Sequence, residues 1–275
     1  MRYIDIDNVV AGVPKETLDL LRRADNSIRS LPDEKKIIRA KNGNSKWSKI
    51  KVNLEAASNR KCWYTESKNP GCLNEVEHFR PKGKVVDEKG VLIHWYWFLA
   101  FNPLNYRLSC TIPNGSNVNI LYKGKTGGKG DKFPLLANSN HANDIAGLSN
   151  EQPVILDPCN RADTLLLAFS PDGRPVVSPL FAGDATASLR VERSNLLLNL
   201  DYPTFNVDRE RIYNRVVELI ARGDKYNIEN SNALTDVVSD LRSIMSADAE
   251  YSKAAECYIR CFRDRSWIED IFTGI

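Results

Sequence analysis

The chain has 275 residues, a length that suits one large domain or two modest ones and excludes a mini-protein that needs disulfides to fold. Hydrophobic residues make up 42% and charged residues 27%, which excludes a disordered or collagen-like chain. The sequence shows no basic-then-apolar leader and no window approaching 18 uninterrupted apolar residues. We therefore expect a cytoplasmic protein without membrane contact.

The net charge of +3 hides an uneven distribution. Residues 1–136 contain 24 Lys and Arg against 14 Asp and Glu, whereas residues 137–275 contain 14 against 21. A basic half favours contact with phosphates, and an acidic half favours solvent or a basic partner. On charge alone, the alternative of two solvated surfaces stays open.

The N-terminal part of the chain predicts helices, and the middle predicts short strands. An amphipathic run begins at Pro14, and further helices are predicted over 33–40 and 47–58. From residue 60 to 136, Cys, Trp, Pro, Gly and Asn interrupt short strand-forming runs, of which 74–79 and 106–110 are the clearest. The aromatic block 94–98 is expected in the core rather than as a surface that stacks bases.

The C-terminal part predicts two strands and then helices. The strands are expected at 154–156 and 165–169, with a turn at 171–173. Four helices are predicted at 185–199, 208–222, 233–245 and 247–262. These elements give an α+β chain in three parts: a helical cap (1–60), a strand-rich core (61–184) and a mostly helical region (185–275).

His78 is one of three histidines, so a histidine-dependent mechanism has few places to occur. It follows Glu77 directly and precedes Arg80 and Lys82, which puts a carboxylate, an imidazole and two cations within six residues. Taken alone, the pair is better explained by a packed or surface histidine. Two asparagines, Asn105 and Asn114, change this interpretation.

Asn105 and Asn114 lie nine residues apart, on either side of a predicted strand that ends at Cys110. The order His78, Asn105, Asn114 resembles that of HNH nucleases, in which two strands and a helix form a ββα-metal finger. Phosphodiester cleavage needs a neutral imidazole to accept a proton from water, hard oxygen ligands for Mg²⁺, and cations for the phosphate.

Further blocks of sequence extend this resemblance over about residues 60–200. They are 75–82, 95–101, 105–110, 127–135 and 151–158, with a weaker echo at 47–54. Together they look like the HNH endonucleases of retron-associated and Septu-type phage-defence operons. The resemblance implies an α+β fold with an HNH finger embedded between the helical cap and the C-terminal helices.

The resemblance also implies a role for each matching residue. His78 is expected to be the general base, and Glu77 and Asn114 to bind Mg²⁺ or Mn²⁺. Asn105 is expected to fix the loop that orients His78. The expected phosphate contacts are Arg80, Lys82 and Lys129. Each residue keeps a structural alternative, because asparagines also hold turns or cap helices and most surface cations are simply solvated.

Two features depart from the family pattern. Related sequences usually carry two Cys-x-x-Cys pairs that bind a structural zinc, whereas Cys62 and Cys110 each keep only the first thiol. Two thiolates cannot saturate a tetrahedral zinc, so these residual ligands make a complete site only if Cys72 or Cys159 replaces the missing thiols, and we expect no four-cysteine site. An insertion at 115–128 also follows Asn114 where relatives open a helix.

The resemblance implies partners as well. Septu-type HNH subunits act beside a PtuA-like ATPase of the SMC or ABC type, and retron operons add a reverse transcriptase with its RNA-linked DNA (msDNA). We expect the acidic region from about residue 185 to dock such an ATPase. DNA is the expected target. The alternatives are an enzyme that cleaves RNA, for instance tRNA, and a non-catalytic subunit that binds nucleic acid or the ATPase.

Overall fold

The structure is a computed structural model that describes residues 1–68, 73–115, 117–119 and 125–272. Its architecture is α+β. The α-helices are Ile6–Ala11 (α1), Lys15–Arg29 (α2), Asp33–Lys41 (α3), Asn44–Trp47 (α4), Lys51–Ala56 (α5), Thr111–Asn114 (α6), Arg161–Leu165 (α7), Ala185–Leu197 (α8), Pro203–Ile228 (α9), Leu234–Met245 (α10), Ser252–Arg260 (α11) and Ser266–Phe272 (α12). Short 3₁₀ turns cover Ser48–Ile50, Trp97–Leu99, Pro103–Asn105, Ala146–Asn150 and Pro179–Phe181.

Within the described residues, the strands pair as four antiparallel two-stranded sheets. They are Glu75–His78 (β1) with Tyr106–Ser109 (β4), Val85–Val86 (β2) with Leu92–His94 (β3), Asn117–Asn119 (β5) with Lys125–Gly127 (β6), and Leu167–Phe169 (β7) with Pro175–Val177 (β8). Such small sheets depend on packing against helices for their stability.

The helical cap is present, with two differences from the prediction. The helix predicted over 47–58 is divided into α4, a 3₁₀ turn and α5. The short helix α1 was not predicted; Asp5 caps it by accepting a hydrogen bond from the backbone N–H of Asn8. Of the stripe predicted from Pro14 onward, Leu21 and Ile28 are buried, whereas Leu18, Leu20 and Leu31 are half-buried.

The central hairpin joins the two clearest predicted strands. β1 and β4 pair from Glu75 opposite Ser109 to His78 opposite Tyr106, and α6 begins two residues after β4 ends. The paired strands β1 and β4 are therefore followed directly by the helix α6. The chain between β1 and β4 carries the β2–β3 hairpin and the aromatic block 94–98, of which Tyr96 and Phe98 are buried in the core and the other three residues are half-buried.

Two hydrophobic clusters hold the hairpin between the cap and the C-terminal helices. Trp47 and Leu54 of the cap pack in one cluster with Tyr106 and Leu108 of β4. The second cluster runs from Phe79 and its neighbours into helices α8 to α12. The C-terminal helices therefore support the strand-rich core through a shared interior.

The C-terminal part differs from the prediction at one strand and at several helix ends. The strand predicted over 154–156 is wrong: these residues are buried but irregular, and the adjacent Pro153 makes only a single bridge to Leu135. α9 starts earlier than predicted, at Pro203, because proline is well tolerated in a first helical turn. No helix in the described ranges has both the length and the apolar character needed to cross a bilayer.

Candidate functional site

Four of the predicted site residues line one cavity of about 270 Å³. Glu77 and His78 come from the end of β1, Lys82 from the turn that follows, and Asn114 from the end of α6. Lys41, at the end of α3, lines the same cavity. The fold thus brings an imidazole, an amide, two ammonium groups and, with Asp131, two carboxylates to one place.

His78 is held as a neutral imidazole whose Nδ1 has the ammonium of Lys82 as its hydrogen-bond partner. Its side chain is buried, and its Nε2 lies 2.9 Å from the carbonyl oxygen of Ala100, which assigns the proton to Nε2 as donor. Nδ1 is then the basic nitrogen, 3.4 Å from Nζ of Lys82. Burial, reinforced by the charge of Lys82, holds the pKa of His78 well below its usual value. The imidazole is therefore neutral near neutral pH, which is the form that a general base requires.

Two aromatic rings fix the plane of the His78 imidazole. Trp47 packs edge-on against it at 5.0 Å between ring centroids, and Tyr106 does so at 4.9 Å. The ammonium of Lys82 lies 4.7 Å from the centre of the Trp47 ring, a cation–π distance. The cap therefore contributes directly to the site, which sequence reasoning did not foresee beyond the weak echo at 47–54.

Asn105 holds the loop that follows His78. Its Oδ1 accepts from the backbone N–H of Arg80 at 2.9 Å, and its Nδ2 donates to the Arg80 carbonyl at 3.0 Å. Its own carbonyl accepts from the N–H of Phe79. Asn105 thus fixes the two residues after His78: its side-chain amide holds the backbone of Arg80, and its own carbonyl holds that of Phe79.

Glu77 is already engaged on both carboxylate oxygens. The hydroxyl of Tyr64 donates to Oε2 at 2.9 Å, and the ammonium of Lys129 pairs with Oε1. Lys129 also donates to the carbonyl oxygen of His78 at 2.8 Å. Its side chain is 1% exposed, and Glu77 is similarly buried. The predicted metal ligand is therefore paired with a lysine.

The remaining donors give a poor fit to a divalent cation. Mg²⁺ prefers carboxylate and carbonyl oxygens in an anionic setting, but Lys82 and Lys41 bring two further positive charges. Asn114 points its Nδ2 at Glu75, 3.2 Å away. The described part of the chain contains no group of three or more His, Cys, Asp or Glu side chains that could hold a metal. The Mg²⁺ expectation stays a prediction of the resemblance.

The three predicted phosphate contacts lie in different settings. Lys82 lines the cavity. Arg80 instead pairs with Glu151 at 2.6 Å, and Lys129 lies beneath the cavity in its ion pair. Both cations are paired with carboxylates, so the phosphate contacts expected for them stay predictions. Lys41 takes their place at the cavity wall; no local pattern marks it, because only the packing of α3 brings it there.

Two acidic residues of the block 151–158 form ion pairs with arginines that lie next to site residues. Asp157 forms a two-pronged ion pair with Arg107, both contacts at 2.7 Å, and Arg107 stands opposite Glu77 on β4. Glu151 accepts from Arg80 and from the hydroxyl of Tyr96 at 2.6 Å. The sequence showed this block but gave no reason to assign its carboxylates to these arginines.

The two residual cysteines face each other. Burial alone would raise the pKa of Cys62, but hydrogen bonds with Cys110 and Thr65 lower it to about 6, while the pKa of Cys110 is raised. Cys159 lies elsewhere, packed against the cap cluster, and Cys72 lies outside the described residues. The observed arrangement is a hydrogen-bonded thiol pair.

The other two histidines stand away from the cavity. His94 and His141 stack on each other at 5.2 Å between centroids. Each places its Nε2 within hydrogen-bond distance of a backbone carbonyl, that of Ala142 for His94 and that of Phe133 for His141. Neither shares the pocket that His78 lines.

Comparison with known proteins gives one informative match. No family model matches the chain. Over 127 residues the chain is 32% identical to the Septu protein PtuB of Bacillus mycoides (strain KBAB4). The match covers 45% of this chain and 39% of that protein. By sequence, this chain is thus similar to a Septu defence protein over less than half the length of either.

Proposed function

We propose that this chain is a nuclease subunit of a Septu-type anti-phage defence system and that it hydrolyses nucleic-acid phosphodiester bonds at the His78 cavity. The similarity to a Septu protein supports the setting. The order of β1, β4 and α6 supports an HNH-type finger. The observation that carries the activity is His78, neutral and with Nδ1 free of a backbone partner, beside the ammonium of Lys82.

The proposed reaction is a single displacement by water. Nδ1 of His78 accepts a proton from water, the water oxygen bonds to phosphorus, and the bond from phosphorus to the leaving oxygen breaks. The leaving oxygen then takes a proton from solvent. Lys82 and Lys41 bind the non-bridging oxygens and stabilise the charge that develops on them. A phosphate oxygen also draws the Lys82 ammonium away from Nδ1, which leaves that nitrogen ready to accept.

The experiment compares two histidine variants. His78→Gln keeps an N–H for the Ala100 carbonyl but removes the base, so we expect cleavage to fall by about 10²–10⁴-fold. His94→Gln, at a histidine away from the cavity, is expected to keep full activity. The substrates are end-labelled DNA and RNA, each with and without a PtuA-like ATPase. Undiminished cleavage by the His78 variant would remove the assigned base.

A non-catalytic subunit that binds nucleic acid or the ATPase is the second candidate. The pairing of Glu77 with Lys129 favours it, because the acidic partner of the histidine is not free. The same assay separates the two: nucleic acid bound but never cut, by wild type with the ATPase present, supports this candidate. Preferential cleavage of RNA would instead support the RNA-directed enzyme.

We also propose that an ATPase docks on the acidic helices. Deleting residues 185–275 cannot test this, because these helices share the core of the finger and their loss would unfold it. Charge reversal of the exposed Glu210 on α9 and Asp236 on α10 keeps the core intact. We expect the double variant to lose co-purification with the co-expressed ATPase. Unchanged co-purification would place the docking surface elsewhere.

A further inference from the structure

We propose that the ammonium of Lys129 is the resident cation of Glu77, and that the cavity receives its phosphodiester on lysine side chains rather than on a divalent metal ion. The phosphodiester substrate rests on the proposed nuclease function. The assignment of Lys129 as the cation of Glu77 rests only on the contacts that Lys129 makes. Family resemblance predicts a metal at Glu77, so this chain departs from the pattern that its own motif implies.

The Lys129 ammonium is built into position. It pairs with Glu77 and donates to the His78 carbonyl, and the backbone N–H of Lys129 donates to the Pro113 carbonyl at 2.8 Å. A second donor, the hydroxyl of Tyr64, takes the other oxygen of Glu77. A buried charge is tolerated only when it is paired and hydrogen-bonded, and both members of this pair meet that condition.

The charges around the cavity disfavour an added divalent ion. Glu77 lines the cavity together with His78, and its charge is already balanced by Lys129. Asp131, which also lines the cavity, pairs with Lys84 at 3.3 Å. Lys82 adds a positive charge beside His78. Of the described residues that line the cavity, both carboxylates therefore have a cationic partner, and a metal ion bound here would face ammonium groups; the nearby Glu75 does not line the cavity and accepts from Asn114.

The same charges suit a phosphate. Lys129 does not reach the cavity wall, whereas Lys82 and Lys41 do. Lys129 neutralises the carboxylate that would otherwise repel an anion from below, and the two wall lysines bind the phosphate oxygens. Lys82 and Lys41 at the cavity wall and Lys129 at Glu77 thus supply the positive charge that a metal ion would supply in an HNH-type site.

Mn²⁺ binding tests the assignment without any cleavage assay. Titrations followed by electron paramagnetic resonance would compare wild type, Glu77→Gln, Lys129→Gln and the double variant. We expect wild type and Glu77→Gln to give the same isotherm. We expect Lys129→Gln to gain a Mn²⁺ site that the double variant lacks. Lys89→Gln, at an exposed lysine in the β2–β3 turn, is the control and should match wild type.

Two results would overturn the assignment. One is Mn²⁺ binding by wild type that weakens more than tenfold in Glu77→Gln. The other is a Lys129→Gln variant with a native circular dichroism spectrum and no Glu77-dependent site. Should that variant fail to fold, the comparison of wild type with Glu77→Gln still decides.

Cleavage in EDTA separates this inference from the proposed function. We expect wild-type cleavage to persist within about twofold in EDTA. Cleavage that EDTA abolishes and Mg²⁺ restores would overturn the lysine assignment while leaving the nuclease in place. A chain that cuts no nucleic acid under any condition would refute the nuclease, and the Mn²⁺ titrations would still decide the role of Lys129.

Discussion

Replacing Asn105 by alanine is expected to loosen the loop after His78 at a cost that the hydrogen bonds define. The buried amide makes two bonds to the backbone of Arg80, at 2.9 and 3.0 Å. A buried polar group that loses its partner costs about 1–3 kcal/mol, and we take about 1–2 kcal/mol for each of these part-buried groups. Asn105→Ala should therefore lower the free energy of unfolding by about 2–4 kcal/mol.

The same loop positions the candidate base, so cleavage should fall as well. A displacement of about 1 Å at a reacting group costs about 10²-fold in rate, and we expect a loss of that order for Asn105→Ala. The matched control is Asn102→Ala, three residues earlier. Asn102 caps a 3₁₀ turn through one bond to the N–H of Leu104, so its loss should cost about 0.5–1 kcal/mol and leave cleavage unchanged.

Urea unfolding monitored by tryptophan fluorescence measures the first effect, and the labelled-substrate assay measures the second. The reasoning fails if the two asparagine variants lose equal stability. It also fails if Asn105→Ala cuts at the wild-type rate, because the loop would then not position His78.

Three further predictions concern charged groups. Asp157→Asn removes a carboxylate from the buried Arg107 and should cost about 3–5 kcal/mol, whereas Asp172→Asn, in an exposed pair, should cost about 1 kcal/mol or less in the same urea titration. Burial opposes ionisation of Glu66, but the N-terminal ammonium lowers its pKa from 4.5 to about 2. The ionised Glu66 therefore stabilises the fold above pH 4.5, and this stabilisation disappears as the pH falls toward 2. The acid unfolding of Glu66→Gln should accordingly be less steep than that of wild type. Because burial lowers the pKa of His78, the acidic limb of kcat/KM should lie below pH 6.5, and a limb at or above that value would contradict the buried neutral imidazole.

The strands show what the sequence could and could not predict. β1 and β4 were predictable because β-type residues alternate there between residues typical of turns. The run 154–156 looks similar in sequence but does not form a strand. A short buried apolar run has the same sequence pattern whether or not another strand pairs with it, so the pattern could not exclude a strand here. In the structure the N–H of Val154 donates to the Pro134 carbonyl and that of Leu156 to the hydroxyl of Ser194, so the run pairs with no strand among the described residues.

The site divides in the same way. The motif order was enough to predict that Glu77, His78 and Asn114 share one cavity. It could not predict the pairing of Glu77 with Lys129, because the two residues are 52 positions apart and any of many lysines was an equal candidate. Lys41 was hidden for the same reason: long-range packing, with no local pattern, places it at the cavity.

Because Trp47 of the helical cap contacts His78, a segment that is moved into another protein keeps the environment of this histidine only if it includes Trp47. An engineer who moves only the strand-rich segment 61–184 into another scaffold leaves behind the indole that braces the imidazole and the ammonium of Lys41. The transplanted histidine would meet bulk water on that side and regain an ordinary affinity for protons. A graft that keeps its chemistry has to begin at or before α3, so the smallest transferable module of this protein includes part of the helical cap.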